Sequence, residues 1–160
     1  ISDAGLRLRG DPEKVNANFY LTSKSMALCK KVLEIFQMHG IHGVIKQHSL
    51  GHKMKLLGYT DGLRYETKYL PFFTRLWKKW YHNGVKIVPS DVVLTDEMLA
   101  YWLMGDGSNS AYGNSRRITL CTDSFDLQSQ KHLVQKFRKI GIYAHIEKTK
   151  CNKNQWNSLY

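Results

Sequence analysis

Apolar residues recur at helical spacing in some stretches of this chain and at alternate positions in others, and the switch between the two periods marks out its elements. From Thr22 to Ile45, Met26, Cys29, Val32, Leu33 and Phe36 share one helical face, Gly40 follows as a stop, and a strand leads to Ile45. Gly40 is suited to a left-handed C-terminal cap. From Thr122 to Ile146 the plan returns: Asp123 or Ser124 as cap, then Leu127, Gln130, Leu133, Val134 and Phe137, then Gly141 and a strand over Ile142 to Ile146. Val32, Leu33, Phe36, Gly40 and Ile41 therefore match Leu133, Val134, Phe137, Gly141 and Ile142 at one constant offset, which suggests an internal duplication of roughly a hundred residues. Generic amphipathic helices account for part of such agreement.

Before each of these helices lies a β-like stretch, Ala17–Thr22 and Arg116–Thr122, mixing β-branched, aromatic and polar residues. The first half continues with a strand at Leu63–Tyr69 and a helix at Pro71–Tyr81, with Pro in its first turn and Phe72, Phe73, Leu76, Trp77 and Trp80 as an apolar stripe. The second half is expected to stop before a matching strand and closing helix. Between the halves, Leu94–Ser108 reads as an apolar helix capped by Thr95, with small Ala100 and Gly105 among large residues and Asp106 at its C-terminal end. A carboxylate there opposes the helix dipole, so a divalent cation or a nearby lysine is expected to compensate it.

Charge changes the picture more than composition does. The 24 Lys and Arg exceed the 13 Asp and Glu, for a formal charge of +11, the footprint of a polyanion binder and first of all of nucleic acid. With 42% hydrophobic residues over 160 positions the chain can bury a core without disulfides or a structural metal. Cys29, Cys121 and Cys151 are widely spaced and form no CxxC pair, which fits buried thiols better than a disulfide framework. No window approaches the about 18 apolar residues of a membrane span. His39 with His42, and His48 with His52, have metal-like spacing but no acid or Cys pair to complete a tetrahedral set, so they read as surface or phosphate-contacting histidines. The chain opens at Ile1 rather than Met, and the natural protein is expected to extend further upstream.

Asp106-Gly107-Ser108 alone is an ordinary turn signal. Within Leu99-Ala-Tyr-Trp-Leu-Met-Gly-Asp-Gly107, flanked by Leu94-Thr-Asp-Glu97, it resembles the signature of the LAGLIDADG homing endonucleases. Ile1-Ser-Asp-Ala4 is similar to the last four positions of a first motif copy, and Thr119–Phe125 with the helix after it resembles the family's segment downstream of the second motif. The resemblance implies an α+β fold of two pseudo-symmetric αββαββα halves, 1–90 and 91–160, forming a β-sheet saddle, with the N-terminal helix and the C-terminal half truncated. It implies a monomer, not a membrane protein, encoded in an intron of a mitochondrion or chloroplast.

By the same resemblance, Asp3 and Asp106 each bring one carboxylate to a cleavage site and hold Mg²⁺, while Lys86, in Lys86-Ile-Val-Pro89, stabilises developing charge or orients water. The implied activity is Mg²⁺-dependent hydrolysis of phosphodiester bonds, giving a double-strand break in a specific DNA. Strand positions implied in contact with the nucleic acid are Arg7, Arg9, Asn18, Tyr20, Lys46, His48, Arg64, Lys68, Arg116, Thr119, Lys148 and Lys150, with Lys53 and Lys55 on phosphates from a flanking loop. Two other readings use the same basic surface: a catalytically retired binder of structured RNA, such as an intron maturase or a component of an RNA-protein assembly, and a non-cleaving DNA-binding repressor.

Overall fold

A computed structural model of the chain describes residues 4–56, 58, 60–112, 115–151 and 154–159, with side chains described to residue 147 except at 54, 112 and 115. Asp3 lies outside the described residues. Contacts divide the chain into two compact units, the first running to Trp77 and the second starting at Lys78.

The first unit contains β1 (Ala4–Arg7), β2 (Asn18–Ser23), α1 (Met26–Met38), β3 (Gly43–His48), α2 (His52–Leu56), β4 (Gly62–Thr67) and the start of α3 (Pro71–Trp80). Its strands form an antiparallel sheet in the order β1-β2-β4-β3. Ser25 caps α1 by accepting from the Leu28 N–H, and the helix ends as expected: Gly40 takes φ +70°, and the N–H groups of Gly40 and Ile41 return to the Gln37 and Phe36 carbonyls. Alternation places Leu21 and Tyr65 on the sheet face that meets α1, where they are buried with Cys29 against Phe19, Val32, Leu33, Phe36, Ile45 and Leu63. Phe73 of α3 is buried too, its ring 5.9 Å from Phe36 and 6.3 Å from Phe19, whereas Phe72 and Met26 stay largely exposed. Tyr65 crosses β3 at Gly43, where a Cβ would lie 2.6 Å from its hydroxyl oxygen, so only glycine fits.

The second unit contains the hairpin β5 (Tyr81–His82) and β6 (Val85–Lys86), then α4 (Asp96–Asp106), β7 (Gly107–Tyr112), β8 (Ser115–Cys121), α5 (Leu127–Lys139), β9 (Ile146–Cys151) and β10 (Asn154–Leu159). Asn83 and Gly84, both at positive φ, make the two-residue hairpin turn. The sheet order β7-β8-β10-β9 repeats the first unit's plan, and α5 has the same thirteen-residue length as α1. Trp102, Leu120, Phe125, Leu133 and Phe137 are its principal buried residues. Gln130, which holds the place of Cys29 in the repeat, is also buried, and its amide donates to the Thr122 and Phe125 carbonyls.

Four expectations are corrected here. The cap of α5 is Asp126, accepting from the Ser129 N–H at 2.7 Å, not Asp123 or Ser124, because Phe125 must first turn into the core. The strand expected over Ile142–Ile146 begins only at Ile146, since the Ile142 N–H still closes α5 by donating to the Phe137 carbonyl. The helix read as far as Ser108 ends at Asp106, and Gly107–Tyr112 is a strand. The second unit also has a strand in β4's place: Asn154–Leu159 forms β10, between β8 and β9. Asn, Gln, Ser and Gly have low intrinsic preference for strands, so pairing rather than propensity makes β7 and β10.

Candidate functional site

The face of the first sheet turned away from α1 carries the opposite set of alternating residues: Arg7 on β1, Tyr20 and Thr22 on β2, Arg64 and Glu66 on β4, Lys46 and His48 on β3. Register pairs Tyr20 with Glu66 and sets Arg64 between Thr22 and Lys46. Tyr20 lies across β1 at Gly5, where a Cβ would be 2.8 Å from the tyrosine hydroxyl oxygen. The guanidinium carbons of Arg64 and Arg7 stand 5.3 and 5.9 Å from the centre of its ring. Glu66 Oε1 accepts from Arg7 Nη2 at 2.9 Å, its Oε2 accepts from Lys46 Nζ, and Arg64 Nη1 is 3.8 Å away. Burial pushes the Glu66 carboxyl up, but the hydrogen bonds from Lys46 and Arg7 outweigh it and hold it below the usual range. It remains ionised.

Arg64 also donates from Nε to Thr22 Oγ1 at 3.3 Å and contacts His48 Nε2 through Nη2 at 3.0 Å. A guanidinium has only donors, so this contact requires Nε2 to accept and the imidazole to be neutral. Burial first, and then the Arg64 charge, push the His48 pKa down, against the opposing pull of Glu66 and Asp61. For a cation with a depressed pKa, the unfolded chain takes up the proton the folded one resists. Stability from this group is therefore lost as pH falls below the free-imidazole value of about 6.5. Thermal melts from about pH 7 down to about pH 5 are expected to show wild type losing more stability than His48→Gln; equal losses would refute the assignment.

Of the other residues singled out in the sequence, Asn18 is by register opposite Arg7 on this side of β2, but it is covered rather than available for contact. It is 1% exposed, and its amide donates to the Thr67 carbonyl, holding β2 to β4. Arg9 and Lys68 are exposed just beyond the ends of β1 and β4. On the short α2, Lys53 is exposed and Lys55 is held by Asp61 at 2.8 Å. In the second unit, Thr119 and Arg116 fall on opposite faces of β8, Arg116 on the side of buried Leu120. Arg117, which strict alternation from Thr119 would have found, shares the Thr119 face and pairs with Glu147 at 3.2 Å. The side chains of Lys148 and Lys150 lie outside the described set. Glu66 was missed because an acid is not an obvious candidate on a basic surface.

A second cluster sits at the end of α4. Thr95 caps the helix as its sequence predicts, accepting from the Met98 N–H, and Asp106 is its last residue. A Cβ at Gly107 would come within 2.3 Å of the Leu103 carbonyl oxygen, so glycine lets the chain pass from the acid straight into β7. Lys86 is partly buried, bridges to Phe125 through the backbone, and holds its Nζ 5.3 Å from the centre of the Phe125 ring. Burial lowers the Lys86 pKa while the Asp106 charge raises it, so ammonium and carboxylate share one neighbourhood. Cys121 Sγ donates to Asp123 Oδ1 at 2.9 Å, and burial with that hydrogen bond pushes the thiol up to about 11. It is a poor nucleophile at neutral pH.

Among the described residues no three His, Cys, Asp or Glu form a metal-holding group. What the cluster offers is the hard oxygen of Asp106 at the negative end of a helix. That donor suits a hard divalent cation, which keeps waters and shares its shell with phosphate. Nor is any described helix long and apolar enough to cross a membrane.

The sequence matches the profile of the LAGLIDADG DNA endonuclease family over residues 1–159. It is 40% identical over 77 residues to an uncharacterised protein of Methanocaldococcus jannaschii, across 48% of this chain and 30% of that protein. It is 34% identical over 80 residues to the cytochrome b mRNA maturase bI2 of Debaryomyces hansenii, across 48% of this chain and 29% of the maturase. The chain thus spans less than a third of the length of these relatives. Its fold is that of the homing endonuclease I-WcaI, solved bound to its DNA recognition sequence: TM-score 0.72 at 21% identity, over 99% of this chain and 70% of that one.

Proposed function

Because the chain belongs to the LAGLIDADG DNA endonuclease family, we propose that it is a sequence-specific homing endonuclease that binds double-stranded DNA and hydrolyses its phosphodiester bonds. The observation that carries this reading is the convergence of Arg7, Tyr20, Lys46, His48 and Arg64 on one open sheet face, in a chain that also sets Asp106 beside a lysine of lowered pKa. A face of guanidinium, ammonium and imidazole groups on a β-sheet can enter a major groove and meet both phosphates and base edges.

Asp106, with Asp3 as its proposed counterpart, would hold the divalent cation, and Mg²⁺ fits the ligand type. Bound there, the cation would polarise the scissile phosphate and lower the pKa of a coordinated water. Lys86, desolvated and within reach of the Asp106 charge, would stabilise charge developing on the phosphate oxygens or orient a water. An origin in an organellar intron, and action as a monomer, complete the proposal.

A second reading, an RNA-binding maturase, is favoured by the maturase relative, since the same face can recognise the backbone and shape of structured RNA. Binding measured on duplex DNA and structured RNA across a salt series separates the two. The endonuclease reading expects tighter binding to duplex DNA, log K falling with log salt at a slope of about −0.9 per phosphate contacted, and Mg²⁺-dependent cutting that a chelator stops. Preference for RNA with no cutting would replace it by the second reading.

A further inference from the structure

Glu66 is out of keeping with its surroundings. It is an acid amid Arg7, Lys46, Arg64 and His48, and its side chain is 11% exposed while Arg7 and Lys46 retain 25% and 53%. A surface acting only as a phosphate clamp gains nothing from a fixed carboxylate at its centre, because a phosphate brought there meets a like charge. A mostly buried carboxylate also costs desolvation that its ion pairs go largely to offset, so holding the fold together is a weak reason for the arrangement.

Base edges make a different demand, since they offer donors as well as acceptors. Arg7 Nη2 and Glu66 Oε1 place a donor and an acceptor 2.9 Å apart. In the major groove, a G·C pair presents the O6 acceptor of guanine and the N4 donor of cytosine, themselves joined by a hydrogen bond of about 2.9 Å. The two pairs are complementary: Arg7 can donate to guanine while Glu66 accepts from cytosine. Each Arg7 terminal nitrogen carries two protons and each carboxylate oxygen two lone pairs, so both contacts can form without breaking the Arg7–Glu66 bond. Lys46 on Oε2 and the Tyr20 ring beneath Arg7 hold both side chains in place before the nucleic acid arrives.

We infer that Glu66 is a specificity-determining residue, which with Arg7 reads a single G·C base pair in the major groove of the bound duplex. This rests on the DNA-binding reading above. The experiment is selection from a library of randomised duplexes by the intact chain, repeated with Glu66→Gln and with Arg7→Gln, each checked for folding by circular dichroism. Wild type is expected to select a consensus containing an invariant G·C pair. Both variants should lose discrimination at that one position by about ten- to a hundred-fold and keep the rest of the consensus. If Glu66→Gln merely raises affinity for all sequences alike, or the folded variants return the wild-type consensus, Glu66 only neutralises charge and the inference is overturned. Should wild type itself select no sequence, the DNA-binding reading fails and this one with it. If Glu66→Gln does not fold, Arg7→Gln decides alone.

Discussion

Asp106→Asn is expected to abolish cleavage, by on the order of 10³-fold or more, while leaving affinity for duplex DNA within a few-fold of wild type. The amide is nearly isosteric, so Gly107 still turns the chain into β7 and Thr95 still caps α4. What disappears is the negative oxygen that would hold a hard cation, a role a neutral amide performs poorly. The binding groups of the first sheet are untouched, so cutting and binding should separate. The measurement is a cleavage time course with Mg²⁺ beside a binding titration without it. Strand scission by the variant at wild-type rate would show that Asp106 is an ordinary helix-end acid.

Trp102→Ala is expected to cost about 3–5 kcal/mol, a large share of the 5–15 kcal/mol that typically separates folded from unfolded chains. Trp102 is 2% exposed, and its ring stands 6.4 Å from those of both Phe125 and Phe137, so truncation empties the centre of the second unit's core. One turn before Asp106 on the same helix, it anchors the segment that carries the acid, and Phe125 in turn lies under Lys86. The chain should melt roughly 10 °C lower, at 2–4 °C per kcal/mol for a chain of this size. Its cleavage should weaken well below that melting temperature. A shift under about 1 kcal/mol would mean the cavity is refilled by its neighbours, and that the core is not built around this ring.

Periodicity carried most of the helices because their partners are local. Val32, Leu33 and Phe36, like Leu133 and Phe137, announce a buried face whatever they meet, and Gly40 and Gly141 end their helices through backbone geometry that belongs to the residue itself. Thr95 caps α4 by the same logic, through a contact three residues away. The motif around Asp106 was legible as a resemblance, and the family match agrees with it.

Strand assignment was different, since a strand is stabilised by residues far along the chain. Asn154–Leu159 is polar, yet it fills the place between β8 and β9 because both neighbours leave backbone groups to be paired. Face assignment also depended on packing: alternation along β8 sets Arg117 with Thr119 and Arg116 with Leu120, but only the burial of Leu120 tells which of the two faces meets the core. Asn18 looked like a contact residue in a polar strand and proved to be a buried link, because burial is set by what packs above a position. Glu66 shows the limit most clearly. In sequence it is one acid in a strand, and only the pairing of β2, β3 and β4 sets it among the cations that give its charge a use.

The sequence alone determined the longer amphipathic helices, the glycine stops after α1 and α5 and the basic, duplicated character of the chain, because those follow from side chains and from neighbours a few residues away. Tertiary structure alone decided which polar groups stand together, because hydrogen bonds and ion pairs form between strands that are distant in sequence and adjacent only once the sheet has paired.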